Sequence, residues 1–223
     1  MDPTTTEIAS CGSGEAFGPD WYDRLMRSPR GRAFHLSWMA HAEEADEGVF
    51  DQLLLRVDAP DLNKLVRLHA EDEQRHARLL RECAARAGVT PEPVPAELGY
   101  IERLRRLSGG SDLGQLFAGG DASIMGIFAM LQVVEERGVQ QFPLVEQALR
   151  RVDPESADVL AAIIRDEQRH VKYAQAISRR YAPDEGALAQ LLGMCREVEA
   201  VAFAENRAAY RAFVLARGLL GTF

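Results

Sequence analysis

A duplicated pentapeptide is the feature that most restricts how this chain can fold. Asp-Glu-Gln-Arg-His occupies residues 72–76 and again residues 166–170, 94 positions later. Each copy lies in a stretch whose apolar residues recur at steps of three and four, which predicts an α-helix. The glutamate and the histidine of each copy are three residues apart and therefore share one helix face. The pattern indicates two copies of one helical unit.

Each copy is preceded by a further helical stretch that carries two adjacent glutamates. The pair Glu43-Glu44 lies 30 residues before the glutamate of the first copy, and Glu135-Glu136 lies 32 residues before that of the second, each counted from the first glutamate of the pair. The apolar phase of both stretches and an aromatic residue seven positions downstream favour the first glutamate of each pair as the inward one. The second glutamates remain the alternative. Glu47, one turn past the first pair, is either an additional inward carboxylate or a surface charge.

The duplicated acidic and histidine residues share their helix faces with leucine, isoleucine and valine. Four carboxylates and two imidazoles are therefore expected inside a helical core, where unpaired charge is costly. Two divalent cations would balance four carboxylates, and mixed oxygen and imidazole donors suit iron or manganese better than metals that prefer thiolates. The expected ligands are Glu43, Glu73, His76, Glu135, Glu167 and His170.

This constellation resembles the ferritin-like di-iron carboxylate superfamily. In that family one glutamate from each of two helices and a Glu-x-x-His pair from each of two others hold two metal ions. The resemblance covers residues from about 28 to 181. It implies an all-α fold, namely a ferritin-like antiparallel four-helix bundle with one long crossover, and here an additional C-terminal helix.

The aspartate and the arginine of the pentapeptide resemble those of the oxygen-activating members of this superfamily. In those proteins the aspartate accepts the second ring hydrogen of a ligand histidine from the opposite repeat. By matching position, Asp72 and Asp166 would do this here, and Arg75 and Arg169 would balance their charge. Such an outer carboxylate fixes the histidine tautomer and strengthens the donor. The alternative is a set of ion pairs on the helix surface.

The resemblance implies an oxidoreductase with two iron ions, or manganese, that activates O2 to oxidise a small organic substrate. Such an enzyme also needs an external electron donor. The alternative is a ferroxidase or a rubrerythrin-like peroxidase that handles iron or peroxide without a dedicated organic substrate. A third option is a purely structural metal bundle.

Three residues close to the expected ligands each allow two interpretations. Tyr173 lies one turn after the second copy of the pentapeptide, where it could line a pocket or gate electrons, or simply pack in the core. Gly138 lies one turn after Glu135 and either leaves space beside the metals or allows close helix packing. His69 precedes Glu73 by four residues and is expected to be a hydrogen-bonded core histidine rather than a ligand.

Capping and breaker residues predict how the chain is organised. Ser28-Pro29, Asp121 and Asp153-Pro154 each combine residues that favour a helix start, and Pro143 is expected to kink the third long helix. A short helix is expected near residues 96–107, within the crossover. The expected layout is a flexible N-terminal tail over 1–28 and a single domain over 29–223, with the bundle at about 29–182 and the extra helix at about 184–217.

Composition bounds the remaining possibilities. The chain has 223 residues and a net charge of −8, which argues against binding to nucleic acid or to an anionic membrane. It has no apolar run of membrane-spanning length and no secretory signal at its start, so a cytoplasmic protein is expected. The cysteines are expected to be reduced thiols (Cys11, Cys83 and Cys195). Apolar residues of the last helix could serve a homodimer (Tyr210, Phe213 and Val214).

Overall fold

The structure, a computed structural model, describes residues 17–45, 60–109 and 121–222. Within these ranges the chain is helical apart from short connections, and it contains no β-strand, as the apolar periodicity predicted. Seven α-helices and one 3-10 turn follow one another. In chain order they are α1 Pro19–Arg27, α2 Pro29–Ala45, α3 Pro60–Ala85, the 3-10 turn Ala96–Leu98, α4 Tyr100–Gly109, α5 Asp121–Leu149, α6 Pro154–Tyr181 and α7 Glu185–Ala216.

Side-chain caps start α2 and α6 where the sequence predicted them. Ser28 Oγ accepts a hydrogen bond from the backbone N–H of Gly31 at 3.1 Å, in the first turn of α2. Asp153 Oδ1 accepts one from the backbone N–H of Ser156 at 3.2 Å, and Pro154 is the first residue of α6. These caps satisfy N–H groups that have no partner within the helix. They fix where α2 and α6 begin, and therefore the positions of Glu43 and Glu167 along the helix axes.

The helices pack in pairs that bring the two pentapeptides together. Helix α2 packs along α3, α5 packs along α6, and α3 also contacts α6. Helix α5 continues through Pro143 to Leu149, although proline removes one backbone hydrogen bond. Helix α7 packs against α5 and α4, and the Arg137 guanidinium on α5 binds both carboxylate oxygens of buried Glu199 on α7, at 2.9 and 2.7 Å.

The expectation of a flexible tail over residues 1–28 is wrong for its last part. Residues from 19 onward form α1, and Phe17, Tyr22, Leu25 and Met26 are buried in the main apolar core. The apolar residues of this short helix recur at steps of three and four, so they cover one face. Burial of that face holds the segment against α2 and α5.

The residues suggested for a homodimer face the core of their own chain. Tyr210 and Val214 are fully buried, and the ring of Phe213 stacks on that of Phe34 with the centroids 4.8 Å apart. These residues are therefore not available as the contact surface of a homodimer. An apolar stripe on a helix predicts burial, but it does not indicate whether the covering surface belongs to the same chain.

None of the described helices is long and apolar enough to cross a membrane. Two of the cysteines, Cys83 and Cys195, are buried free thiols, as expected. Cys11 lies outside the described residues.

Candidate metal centre

Seven buried acidic and histidine side chains from four helices converge at the middle of the structure. In two overlapping groups, one donor atom from each residue lies within 4.8 Å of the donor atoms of all the others. The first group is Glu43 on α2, Glu73 and His76 on α3, and Glu167 on α6. The second is His69 and Glu73 on α3, Glu135 on α5, and His170 on α6.

His76 and His170 each turn Nδ1 toward the carboxylates. His76 Nδ1 lies 3.2 Å from Glu167 Oε1 and 3.8 Å from Glu73 Oε2. His170 Nδ1 lies 3.0 Å from Glu167 Oε2 and 3.3 Å from Glu73 Oε1. Glu73 and Glu167 therefore lie between the two imidazoles and contact both.

Each of the two outer glutamates contacts the imidazole of either His76 or His170. Glu43 Oε2 is 3.5 Å from His76 Nδ1, and Glu135 Oε1 is 3.9 Å from His170 Nδ1. The arrangement thus has two shared carboxylates in the centre and one further carboxylate at each end. All six residues expected as ligands lie in this cluster.

Three polar atoms of the cluster are poorly satisfied by the protein alone. Glu73 Oε1, Glu167 Oε1 and His76 Nδ1 are buried and make no hydrogen bond of acceptable geometry to any residue in the described ranges. A buried acceptor without a donor is costly. A cation between these atoms would accept their lone pairs, so the side chains fit divalent metal ions. Glutamate and imidazole donors suit iron or manganese.

The crowded charges shift the pKa values of the carboxylates in opposite directions. Burial and the neighbouring Glu73 carboxylate raise the pKa of Glu43 well above its ordinary value. Burial alone would also raise the pKa of Glu73, but its close contacts with Glu43 and with the surrounding histidines lower it well below its ordinary value. Burial would lower the pKa of His170, yet its contacts with Glu167 and Glu73 raise it to about 9. Binding of a cation by these groups would be coupled to the release of protons.

The aspartates of the pentapeptides bind the far nitrogen of each histidine crosswise. His76 Nε2 lies 3.3 Å from Asp166 Oδ2, and His170 Nε2 lies 3.2 Å from Asp72 Oδ2. Each aspartate thus contacts the histidine of the other repeat. With Nε2–H donated to an aspartate, Nδ1 is the nitrogen that faces the glutamates, and it is the atom that would offer a lone pair to a bound ion.

Two arginines join these aspartates into one ionic network. Arg75 lies 2.7 Å from Asp72 and 2.6 Å from Asp166, and Arg169 lies 2.9 Å from Asp72 and also pairs with Asp166. Burial would raise the pKa of Asp166, but Arg169 and His76 lower it. The network therefore favours the charged form of Asp166. The aspartates make the surface ion pairs given as the alternative and also contact the histidines.

The second glutamate of each upstream pair points away from the cluster. Glu44 is exposed and pairs with Arg81. Glu136 accepts a hydrogen bond from Gln132 Nε2 at 2.7 Å and from Arg196 at 3.2 Å. The apolar phase therefore selected the correct member of each pair. Glu47 lies outside the described residues.

His69 is a member of the cluster that was not among the six expected ligands. It is buried, its Nε2 lies 2.9 Å from Glu73 Oε1 and 3.2 Å from Glu135 Oε1, and its Nδ1 is hydrogen-bonded to the hydroxyl of Tyr173. Its burial and its hydrogen bond to Tyr173 are those of the expected core histidine, and it also contacts two carboxylates of the cluster. The spacing of four residues before Glu73 was the available signal, because it puts both side chains on one face of α3.

A mainly apolar cavity of about 120 Å³ adjoins the cluster. The four glutamates of the cluster form part of its wall. Most of the remaining lining is aromatic or aliphatic, and it includes Phe17 and Tyr22, His35, Trp38 and Met39, Tyr100 and Ile101, Gly138 and Phe142, and Phe203 and Tyr210. A small organic molecule in this cavity would lie directly beside the carboxylates.

Comparisons with protein-family models, with curated proteins and with solved structures give no match. What the site does is therefore inferred from its own side chains and from the cavity next to them.

Proposed function

We propose that this chain is a non-haem di-iron oxidoreductase that uses O2 to oxidise a small organic substrate. The observation that carries the proposal is a buried cluster of four glutamates and three histidines at the wall of an apolar cavity. Two divalent cations would neutralise the four carboxylates. Bound iron would supply the redox equivalents and the Lewis acidity. Manganese is the alternative metal because the same donors suit it.

The proposal assigns the four long helices α2, α3, α5 and α6 to a ferritin-like antiparallel bundle. Each of these helices contributes one glutamate to the cluster, and only α3 and α6 add histidines. The pairing of α2 with α3 and of α5 with α6 supports this assignment, because each pair contains one copy of the duplicated unit.

The side chains of the cluster would form two ion-binding positions. Glu43 and His76 would bind one ion, Glu135 and His170 would bind the other, and Glu73 and Glu167 would contact both.

The outer residues hold the histidines ready for this role. Asp166 and Asp72 keep a proton on Nε2 of His76 and His170, so that Nδ1 remains a lone-pair donor. Arg75 and Arg169 each contact both aspartates and so hold them beside the histidines.

The cavity favours oxidation of an organic substrate over iron storage. A ferroxidase needs a polar, acidic path that delivers iron, whereas this cavity is walled mostly by aromatic and aliphatic side chains. Apolar walls with a few polar groups are typical of small-molecule sites. Many oxidations of an organic substrate by O2 need electrons beyond those that the substrate supplies. We therefore propose that the protein also uses an external electron donor.

Anaerobic Fe(II) titration followed by exposure to O2 tests the proposal. We expect two ions per chain and O2 uptake that increases when a small apolar organic substrate is present, with an oxidised product seen by mass spectrometry. Repeated Fe(II) oxidation without any effect of organic molecules would indicate a ferroxidase instead. Failure to bind iron would refute the site.

Matched variants connect this result to the cluster. Glu73→Ala removes a carboxylate that contacts both imidazoles, so iron content measured by elemental analysis is expected to fall. Glu44→Ala removes the neighbouring exposed glutamate of α2 and is expected to keep two ions. Equal, full occupancy in both variants would contradict the ligand assignment.

A further inference from the structure

His69 breaks the symmetry of the duplicated unit. The equivalent position in the second repeat, four residues before Glu167, is Ile163, which is buried in the apolar core. The group of donors around His170 therefore contains a second histidine, whereas the group around His76 contains only one histidine among the described residues. Nothing in the duplicated pentapeptide itself requires this difference.

The orientation of His69 is that of a ligand. It is 1% exposed, and its ring stacks on that of His170 with centroids 3.8 Å apart and planes 17° apart. Its Nε2 lies between two carboxylates, 2.9 Å from Glu73 Oε1 and 3.2 Å from Glu135 Oε1. Those two glutamates and His170 are the other members of the same group of donors.

The hydroxyl of Tyr173 holds the other nitrogen of this ring. Because Nδ1 of His69 is hydrogen-bonded to that hydroxyl, Nε2 is the atom left for the carboxylates. Metal-binding histidines commonly have their second nitrogen fixed by a hydrogen bond in this way. His35 offers a comparison within the chain. It is also buried and its Nδ1 contacts a tyrosine hydroxyl, that of Tyr210 at 2.6 Å, but it makes no ion pair with a carboxylate in the described ranges.

We propose that His69 is a third histidine ligand, which binds through Nε2 only the ion held by Glu135 and His170. The proposal rests on the dinuclear site of the proposed function. It makes the two positions chemically different, with two nitrogen donors at one ion and one at the other. A site with more protein donors is expected to fill first, so stepwise loading should begin at the His69 side.

Mn(II) binding to the unaltered protein provides the first test. One equivalent of Mn(II) is added, and the number of histidine nitrogens coupled to it is counted by pulsed electron paramagnetic resonance. We expect two coupled nitrogens. A single coupled nitrogen would overturn the proposal, and this measurement does not depend on the folding of any variant.

The second test compares His69→Gln with His35→Gln. In His69→Gln the tighter of the two Mn(II) binding steps should weaken by roughly 10–100-fold or more. The loss of a residue that only hydrogen-bonds to a metal ligand already has an effect of that size. The matched variant His35→Gln should keep both steps. Unchanged stepwise affinities in His69→Gln, with two ions bound, would refute the role of His69 alone. Absence of any binding by the unaltered protein would refute the dinuclear site as well.

Discussion

Replacing Gly138 separates the stability of the protein from the use of its cavity. Gly138 lies inside α5 and lines the cavity. A β-carbon at this position would lie 3.7 Å from the Phe142 ring and 4.0 Å from Glu167 Cγ, which are ordinary contacts. The helix can therefore accept alanine without rearrangement, which favours the space-leaving interpretation of this glycine over close helix packing.

The expected magnitudes follow from helix propensity. Gly138→Ala should stabilise the protein by about 1 kcal/mol. For a chain of this size that corresponds to a rise of roughly 2–4 °C in Tm. Gly138→Leu should keep most of that gain, but its longer side chain would extend into a cavity of about 120 Å³ beside Glu167. Both ions should remain bound while oxidation of the organic substrate falls steeply.

The assays are thermal unfolding followed by circular dichroism, iron per chain, and product formation. Gly193 provides a matched control because it also lies inside a long helix, α7, and no atom lies within 4 Å of its β-carbon position. Gly193→Ala and Gly193→Leu should raise Tm similarly and leave product formation unchanged. A lower Tm for Gly138→Ala would show that the helix is closely packed there, and normal turnover by Gly138→Leu would refute the role of the cavity.

Three other perturbations test the metal centre and the attachment of α7. Asp166→Asn should keep the fold and weaken iron binding by roughly 10–100-fold in anaerobic titrations, because His76 loses its charged partner; unchanged affinity would reduce Asp166 to a surface charge. Fe(II) added anaerobically at 100 times its Kd should stabilise the protein by about 2.7 kcal/mol, hence raise Tm by roughly 5–11 °C, and an unchanged Tm would contradict binding to the folded state. Glu199→Leu should destabilise by about 3 kcal/mol in urea unfolding, because Arg137 loses a bidentate partner while only 25% exposed; a loss below 1 kcal/mol would show that this ion pair does not hold α7 to α5.

The duplicated pentapeptide allowed the helical nature of the chain and the six clustered ligand candidates to be predicted. Spacings of three residues determine a common helix face whatever the tertiary arrangement is, so the Glu-x-x-His pairs could be placed in advance. The choice of Glu43 over Glu44 also succeeded, because the apolar phase of α2 is defined by its neighbours Leu36 and Met39, both buried.

Other features depend on contacts that a single sequence does not encode locally. His69 has no counterpart in the second repeat, so comparison of the two copies could not reveal it. Helix α1 is too short to form alone and is held by burial of Tyr22 and Leu25. Tyr210 was considered for a homodimer contact, but its ring stacks on that of Phe34 from α2 of the same chain.

The wall of the cavity and the carboxylate cluster come from different parts of the chain. The duplicated units supply all the donors, whereas Phe17 and Tyr22 of the N-terminal segment, Tyr100 of the crossover and Phe203 of α7 supply much of the aromatic lining. Under the proposed function, substitutions in these outer segments would change the wall of the cavity and leave the donor residues in place, so the preference for one organic molecule over another could change while metal binding is kept. Directed evolution could use this separation, with libraries confined to the three outer segments.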